Sequence, residues 1–415
     1  MLQKLWHDRR GNALVIAGAA LPLVVGSAGL ASDTVHWALW KRQLQRAADS
    51  AALAGVYARA QEASYTTAVA TDLDRNNHVV PDLLGSPTIS TPADTADWTH
   101  HVKVDLAVQK TLGFSSLFLS TAPIIRTSAT AAMIPNGVFC VVALARTGTG
   151  IDIGGSSNVN MGCGAIANST NATGSVDTNG TAYSFIADPV ASAGGMPSTI
   201  NGATDLQPFH VPLPDPFKNK YDTDVPAGTP CSNFNQHTRT QSTGTGRNRV
   251  TTTHLSDGCY SNFSAGNGTF YLDPGVYYLN STSLDLSGQT RLVGTDVTII
   301  LTGSNPGTIS MNGNSAIQIT APTSGPYAKM AIIQSATATA GNNNLINGNN
   351  NTFIDGAIYF PNGDMNFTGS SANSTRCAMI VSLTVEFSGN TNIQNDTTGC
   401  VADQTVTGKR IRLVA

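Results

Sequence analysis

An uncharged apolar segment near the N-terminus constrains the fold of this chain more than any other feature. Residues 11–32, GNALVIAGAALPLVVGSAGLAS, carry no charged side chain between Arg10 and Asp33. At about 1.5 Å per residue, a helix of this length spans the roughly 30 Å hydrocarbon core of a bilayer. Pro22 removes one hydrogen bond from the middle of that helix and is expected to kink it. We therefore predict one transmembrane helix at residues 11–32.

The flanks of this segment suit a membrane interface, because basic side chains precede it and tryptophans lie on both sides. These flanking residues are Lys4, Arg9, Arg10, Trp6, Trp37 and Trp40. A cleaved secretory signal remains an alternative, since residues 28–32 are small enough for cleavage, although a signal usually has a shorter apolar region. A buried core helix is the other alternative, but it would not need so long an uncharged run.

Charge and cysteine content together predict the orientation of the helix. The basic N-terminal flank predicts a cytoplasmic tail at residues 1–10 by the positive-inside rule. Lys41, Arg42 and Arg46 follow the segment and favour the opposite orientation. All six cysteines lie in the C-terminal two-thirds of the chain, and disulfides form outside the cytoplasm. We therefore predict that the chain after the helix is exported.

An even number of cysteines in an exported region indicates disulfides. The simplest pairing joins neighbours along the chain, Cys140–Cys163, Cys231–Cys259 and Cys377–Cys400. Other pairings remain open, and so do buried free thiols. The sequence has no C-x-x-C motif, which disfavours zinc-site and thioredoxin-like interpretations.

The composition indicates more than one folded unit and argues against binding to nucleic acid. The 415 residues are 41% hydrophobic and only 12% charged, which is unusually poor in charge for a cytosolic protein. The 26 acidic and 23 basic residues give a net charge of −3, and the basic residues form no stripe with interleaved aromatic residues. We expect no nucleic-acid partner.

The segment after the anchor favours a helix that is continuous with it. Residues 33–63 are rich in Ala, Leu, Gln and Arg and contain no proline. One stripe recurs at intervals of three and four residues and consists of Trp37, Trp40, Leu44, Ala48, Ala51 and Gly55. Its small residues permit the close approach of another helix, as in packing within an assembly. The alternative is that the stripe covers its own domain.

A small α+β unit is predicted to complete the region up to residue 136. Residues 64–100 lose periodicity and are expected to be partly helical and then a loop. Apolar residues alternate over residues 102–108, which predicts a half-buried strand. A short helix at residues 114–119 and a second strand at residues 124–133 follow.

The N-terminal region resembles a known family. The residues that carry the resemblance are RRGN at 9–12, Asp33, Trp37 and QLQRAADSAALAG at 43–55. This pattern is similar to the TadE/TadG-like Flp (tight-adherence) pilus-assembly proteins, specifically their TadG-like members. The resemblance implies a single-pass protein of the bacterial inner membrane, with its C-terminal domain in the periplasm or at the cell surface and other pilus-assembly proteins as partners. Pilin-like members have Glu where Ile16 follows Gly11, so prepilin-peptidase cleavage is not expected.

The sequence changes in character after Pro135, where Gly, Ser, Thr and Asn dominate. Five segments share a short apolar alternation and a Gly-containing polar bend: residues 151–159, 284–292, 309–317, 365–371 and 385–393. Such a strand and bend are the unit of a right-handed parallel β-helix, which we predict for residues 137–415. Polar residues of successive bends are expected to form hydrogen-bonded ladders, and residues 341–352 are expected to extend one bend into a loop.

A β-sandwich is the alternative fold for this half, but it would need hairpin signals that are scarce here. Many prolines at residues 187–260 indicate a long excursion that Cys231–Cys259 would pin. Residues 140–169 and 273–303 are similar to the extracytoplasmic portion of TadG-like proteins that lack a von Willebrand factor A domain. The metal motif of that domain, D-x-S-x-S, is absent after residues 138–144, so the resemblance implies no metal-dependent adhesion.

Parallel β-helices include pectate lyases and glycosidases, which makes a carbohydrate-active enzyme the main alternative function. Such sites need clustered carboxylates, whereas the acidic residues here are scattered singly: Asp285, Asp296, Asp355, Asp364 and Glu386. No nucleophile elbow, P-loop or paired His–Glu motif occurs. We expect no catalytic residue, cofactor, metal or small-molecule substrate. The sequence predicts a non-enzymatic, envelope-anchored component of a Tad-type pilus or secretion apparatus, and an adhesin without a pilus role is a third possibility.

Overall fold

The structure is a computed structural model that describes residues 9–75, 82–95, 98–180, 182–243, 250–347, 352–368, 372–398, 400 and 405–414. The predicted cytoplasmic tail therefore lies largely outside the described residues, as do Lys4 and Trp6. The chain divides into two compact units. Met1–Pro135 and Arg410–Ala415 form the first unit, and Asn136–Lys409 form the second.

One long helix dominates the first unit. Helix α1 (Arg9–Ala60) runs without interruption through Pro22, and helix α2 (Tyr65–Arg75) follows it. Beyond the C-terminal end of α1, Glu62 adopts a left-handed conformation with φ of 57°, and the Ala63 N–H donates to the Ala58 carbonyl at 2.8 Å. This bond satisfies a carbonyl of the last turn, which has no partner within the helix. The predicted continuity of the anchor with the following helix is confirmed.

Three antiparallel strands complete the first unit: β1 (Thr88–Ser90), β2 (Thr99–Gln109) and β3 (Ile124–Ala143). The predicted alternation places Val102, Val104, Leu106 and Val108 of β2 in the interior. The predicted helix at 114–119 is only a 3-10 turn, Ser115–Leu117. The backbone N–H groups of Phe114 and Ser115, which have no partner within such a turn, donate to Asp33 of α1.

The second unit consists mainly of short strands. In chain order these are β4 (Ile151–Gly154), β5 (Asn158–Asn160), β6 (Gly164–Ala167), β7 (Val176–Asn179), β8 (Ser184–Ile186), β9 (Val190–Ser192), β10 (Leu206–Gln207), β11 (Cys231–Asn233), helix α3 (Phe234–His237), β12 (Thr238–Thr243), β13 (Val250–Leu255), β14 (Gly258–Asn262), β15 (Gly268–Leu272), β16 (Gly275–Asn280), β17 (Leu284–Leu286), β18 (Thr290–Gly294), β19 (Val297–Thr302), β20 (Ile309–Met311), β21 (Ala316–Thr320), β22 (Met330–Gln334), β23 (Asn342–Ile346), β24 (Thr352–Asp355), β25 (Ala357–Phe367), β26 (Ala372–Arg376), β27 (Ile380–Phe387), β28 (Asn392–Asp396) and β29 (Val406–Leu413). The last of these, β29, ends within the residues assigned to the first unit.

These strands form three stacks of parallel strands, in which most strands pair with one from the next repeat of the chain. The first stack runs β11, β14, β16, β19, β22, β25, β27, β3, β6, β9 and β10. The second runs β17, β20, β23, β25, β27, β4 and β7. The third runs β13, β15, β18, β21, β24, β26, β28, β5 and β8, with β12 antiparallel to β13.

The predicted repeats are the corners between the second and third stacks. Gly155, Gly288, Gly313 and Gly389 occupy these bends with φ between 63° and 69°. A left-handed conformation favours glycine, and a Cβ at Gly155 would also lie 2.6 Å from the Gly389 carbonyl oxygen. The sequence pattern of apolar alternation followed by glycine therefore has a steric cause.

Polar side chains bond to each other at bends, where the hydroxyls of Ser281 and Ser304 lie 3.3 Å apart, and also between successive strands. The Asn366 amide donates to Asn343 at 2.5 Å, and Asn158 donates to Asn392 at 3.4 Å. The prediction of a loop over residues 341–352 is wrong for its first half, because β23 lies there, and residues 348–351 lie outside the described residues. The buried side chain of Asn344 is hydrogen-bonded within this strand and to its neighbour, since its amide donates to the Asn342 carbonyl at 3.2 Å and its Oδ1 accepts from the Ile309 N–H at 3.1 Å.

The order of the strands within each stack does not follow their order along the chain. Strand β27 pairs with β25 on one side and with β3 and β4 on the other. Strand β28 likewise pairs with β5. The last strands therefore join the first in the middle of each stack, and the two ends are formed by β9 and β10 and by β11 to β14. The sequence pattern did not predict this order.

The proline-rich segment connects the two ends along the outer face of the first stack. The Leu213 N–H donates to Asn168 at 2.8 Å, Phe217 contacts Tyr359 edge to face, and Tyr221 stacks against Tyr327. These aromatic residues cover apolar side chains of the stack such as Ile300, Ile333 and Val381. The excursion is shorter than predicted, since β9 and β11 to β14 fall within residues 187–260.

Three disulfides join the neighbouring cysteines that the sequence suggests. Cys140–Cys163, Cys231–Cys259 and Cys377–Cys400 have Cα–Cα distances of 5.8, 4.4 and 5.4 Å. Cys231 and Cys259 lie opposite each other in the pair β11–β14, so their bridge fixes the end of the first stack. All three bridges belong to the second unit.

Candidate functional site

The C-terminal half of α1 packs against the rest of the first unit through mainly small residues. Leu44, Ala48 and Ala51 are fully buried, and α1 packs against α2 and β2. A Cβ at Gly55 would lie 2.8 Å from Val102 Cγ1, so the absence of a side chain permits the close packing of α1 on β2. The part of the predicted stripe from Leu44 to Gly55 is therefore covered by the unit itself, whereas Trp37 is 38% exposed.

This packing favours the alternative that the stripe covers its own domain over the interpretation as a surface for another helix of an assembly. Polar bonds on the adjacent faces of α1 hold it in place: Ser50 donates to Asp72 of α2 at 2.9 Å, and Gln45 donates to the Ser128 carbonyl of β3 at 3.1 Å. The Arg59 guanidinium donates to the His101 carbonyl at 2.7 Å. Small residues at helix spacing indicate close packing, but the pattern does not say whether the partner is internal.

The N-terminal part of α1 has no such cover. In the described part of the chain, α1 is the one helix that is long and apolar enough to cross a membrane, and its apolar window is 0% buried. Val15 is 70% exposed and Leu23 is 76% exposed. A core helix would be mostly buried, so this exposure disfavours that alternative. The segment is a candidate membrane anchor.

Asp33, the first charged residue after the apolar segment, is buried by a distant loop. Its Oδ1 accepts a hydrogen bond from the Phe114 N–H at 3.0 Å, and its Oδ2 accepts bonds from the Ser115 N–H at 2.5 Å and hydroxyl at 2.6 Å. The Ser115 hydroxyl, together with the two N–H groups, lowers the pKa of the Asp33 carboxyl. Asp33 therefore joins the start of the 3-10 turn to α1 as an ionised acceptor.

Both tryptophans of the predicted stripe follow Asp33 along α1, and each contacts a lysine. Lys41 Nζ lies 5.1 Å from the Trp37 ring centroid, and Lys110 Nζ lies 3.9 Å from that of Trp40. Lys110 also pairs with Asp82 at 2.5 Å. Trp37 remains 38% exposed. Tryptophan and lysine side chains of this kind are enriched where a helix leaves a bilayer.

In the second unit, three carboxylates occur side by side on adjacent strands of the second stack. Glu386 of β27 is in register with Asp152 of β4, and Asp152 is in register with Asp177 of β7. We call these residues the acidic row. Asn179 donates to both oxygens of Asp152 at 2.8 and 2.9 Å. Burial raises the pKa of Asp152, and the charges of Glu386 and Asp177 raise it further.

The acidic row shows why the scattered placement of acidic residues in the sequence was misleading. The prediction singled out Glu386 but not Asp152 or Asp177, because only the joining of β27 to β4 brings them together. Asp285 occupies the same register position several strands away, opposite Ser310. Asp364 accepts a bond from the Thr384 hydroxyl at 2.7 Å. Asp355 lies on β24 of the third stack, and Asp296 lies at a bend with a φ of 55°.

Among the described residues, no group of three or more His, Cys, Asp or Glu side chains is arranged to hold a metal ion. The acidic row extends linearly, with strands about 4.8 Å apart, and it does not converge on one point.

Comparison with known proteins identifies the helical region. Residues 11–62 match the family described as Flp pilus-assembly TadE/G-like, which confirms the resemblance noted in the sequence. Among curated proteins, none matches the sequence. The competence-associated pilin ComZ from Thermus thermophilus is a structural match with 10% identity, covering 80% of this chain and 87% of its own. Its TM-score of 0.19 is too low for any argument about fold or function.

Proposed function

We propose that this chain, which carries a TadE/G-like Flp pilus-assembly segment, is a non-enzymatic, envelope-anchored component of a Tad-type pilus or secretion apparatus. The observation that carries the proposal is the coincidence of two features in α1. The family match covers residues 11–62, and the same helix has a long apolar part that is exposed in the structure. The family match therefore supports the pilus-related role, and the exposed apolar part of the helix supports attachment to a membrane.

The proposed anchor is residues 11–32, crossing the bacterial inner membrane once. Its apolar side chains gain stability from contact with lipid, whereas in water they would form a large exposed apolar surface. Three disulfides in the second unit support export of the region after the helix, because such bonds persist in oxidising compartments. In this orientation the N-terminus is cytoplasmic, while the part of the first unit that follows residue 32 and the whole second unit are extracytoplasmic.

The proposed architecture of the exported region is a right-handed parallel β-helix, with the three stacks as its faces. In-register pairs such as Ile299 with Ile332 and Ile300 with Ile333 support it over a β-sandwich, because the strands of a sandwich are antiparallel. We propose that this body binds other components of the apparatus. An adhesin that acts without a pilus would use the same architecture and remains an alternative.

Reporter fusions test the topology. Alkaline phosphatase fused after Ala63 should be active, since that site follows the anchor on the exported side. Fusion after Arg9 should be inactive and serves as the matched control. A cytoplasmic reporter that is active after Ala63, with a silent phosphatase, would contradict the orientation.

Gene deletion tests the role. In a host that assembles Tad pili, loss of this chain should abolish pili or secretion while pilin is still produced, and full-length protein should restore them. Normal pili in the deletion strain, together with lost adhesion, would favour the adhesin alternative. A neighbouring secretion ATPase and pilin genes would support the pilus role independently.

The acidic row supports a second candidate function, a carbohydrate-active enzyme. Carboxylates on adjacent strands, one of them with a raised pKa, are the kind of groups that glycosidases use as acid and base. The exported region should be assayed against polysaccharides with and without Asp152→Asn, with Asp285→Asn as the control. Cleavage that is abolished by the first substitution and retained by the second would establish the enzyme and contradict a non-enzymatic role.

A further inference from the structure

A second apolar surface lies beside the exposed part of α1. Leu117, Phe118 and Leu119, at the end of the 3-10 turn, are 73%, 74% and 51% exposed. They lie within residues 111–125, which contain no charged side chain between Lys110 and Arg126. Three consecutive exposed large apolar residues are unfavourable in water and mark an interaction surface.

The position of this surface is fixed by its contacts with α1. Asp33 binds the backbone of Phe114 and Ser115, as described above. The Phe114 ring then extends along α1 into the apolar segment, where a Cβ at Gly29 would overlap it and a Cβ at Gly26 would touch it at 4.0 Å. Gly26 lies about 10 Å before Asp33 along the helix axis. The loop therefore lies at the depth of the last turns of the proposed anchor.

The groups around the loop have the order expected across a membrane boundary. Below Asp33 lie the glycines and the Phe114 ring, and the carboxylate itself is fully bonded within the protein. Above Asp33 lie the two tryptophan–lysine contacts, Trp37 with Lys41 and Trp40 with Lys110. A charge near lipid is tolerated when its partners are supplied by the protein, and Trp and Lys are enriched at the headgroup level.

We propose that residues 114–119 insert into the outer leaflet of the membrane beside α1, as a second attachment of the first unit to lipid. The inference rests on the anchor proposed above. Its physical consequence is orientation: one helix alone leaves the unit free to tilt and rotate, whereas two attachments at one level restrict both motions. The partner of the surface is the acyl-chain region of the bilayer.

Spin labelling of the full chain in vesicles of phosphatidylethanolamine and phosphatidylglycerol tests this proposal. All six native cysteines are in disulfides, so a single added cysteine can be labelled selectively. The labelled variants are Phe118→Cys, Val24→Cys in the anchor and Tyr57→Cys, about 36 Å beyond Asp33 along α1. Phe118, Val24 and Tyr57 are all exposed, so each substitution should leave the fold intact.

Collision of the label with oxygen, which concentrates in lipid, is compared with collision with a water-soluble nickel chelate. We expect a high oxygen-to-nickel ratio at positions 118 and 24, and at least a tenfold lower ratio at position 57. A ratio at 118 equal to that at 57, with 24 in lipid, would overturn the inference and leave the anchor intact. A label at 118 shielded from both reagents would overturn it in favour of a second copy of the chain.

A matched pair of glycine variants tests what holds the loop at this depth. Gly29→Val should displace Phe114 and lower the ratio at position 118, because the added side chain overlaps the ring. Gly18→Val should leave the ratio unchanged, since nothing lies within 4 Å of a Cβ there. If position 24 itself is accessible only to nickel, the anchor fails, and the proposed function fails with it. An unchanged ratio in Gly29→Val would overturn the role of the Phe114 contact.

Discussion

In the first unit the buried side of α1 consists mainly of small residues, with Leu44 and Val56 among them, whereas Phe, Ile, Leu and Met fill the interior of the second unit. Their surfaces differ as well. Of the exposed large apolar side chains in the described parts of the chain, only Val138, Ile186, Phe209 and Tyr271 belong to the second unit. The second unit buries most of its large apolar side chains, whereas many of those in the first unit are exposed.

The largest expected effect is on the interior of the second unit. Phe387 is fully buried and contacts the rings of Phe367 and Phe185 at centroid distances of 5.5 and 5.6 Å. Phe387→Ala should lower the free energy of unfolding by about 3–5 kcal/mol, because it leaves a cavity between stacked strands. Urea unfolding followed by circular dichroism measures this. Phe209→Ala is the control, since that ring is 62% exposed, and equal effects would contradict the comparison.

The next largest difference in stability between the two units is expected on reduction of the disulfides. All the cysteines lie in the second unit, so dithiothreitol should destabilise it and leave the helical signal of the first unit unchanged. Replacing Cys231 and Cys259 together by Ala should cost about 2–5 kcal/mol. Limited proteolysis with and without reductant reports each unit separately. Faster cleavage of the first unit after reduction would show that its stability depends on the second.

A smaller effect is expected in the first unit. Ala51→Leu should lower its free energy of unfolding by about 1–3 kcal/mol, because the added volume has no space between α1 and its neighbours. Ala54→Leu, at a half-buried position of the same helix, should cost less. Thermal unfolding monitored by helical circular dichroism measures both. If Ala51→Leu instead leaves stability intact and blocks pilus assembly, the stripe does bind an external helix.

The smallest effect concerns the acidic row and depends on pH. The native pKa of Asp152 is raised above 3.8 by burial, so the native state holds this proton more tightly than the unfolded state. Stability from this group is therefore present below the ordinary pKa and is lost as pH rises through the raised native value. As pH rises from the ordinary pKa through the raised native pKa, the Asp152→Asn variant should gain stability relative to the unsubstituted protein. At higher pH the difference in unfolding free energy between the two proteins should stay constant. Urea midpoints from about pH 3 to 7 test this, with exposed Asp285→Asn as the control.

Local features of the sequence predicted much of the fold. The helical structure of the uncharged segment, the Ala-rich helix and the alternation in β2 depend on neighbours at most four residues away, and these features are confirmed. The glycine bends were also predictable, since each needs a left-handed conformation at one residue. These features share a cause that acts within one turn or one strand.

Features that depend on distant parts of the chain were not predictable. Asp33 and Ser115 are 82 residues apart in sequence, and no pattern marks one as the partner of the other. The acidic row arises only because β27 lies beside β4. The small-residue stripe was recognised, but its internal partners, α2 and β2, could not be distinguished from those of a neighbouring molecule. Tertiary pairing, not local preference, decides each of these cases.

The joining of the last strands to the first affects how the second unit can fold during synthesis. The Asn158–Asn392 bond spans 234 residues, so the strands that emerge first wait for their neighbours until nearly the whole chain has followed. Contacts of such long range slow folding, and the unpaired edges of β3, β4 and β5 are open to wrong pairing in the meantime. A chain terminated before β27 would lack a middle layer instead of an end. Synthesis delivers the N-terminal strands first, so these edges stay unpaired until β27 and β28 have been made.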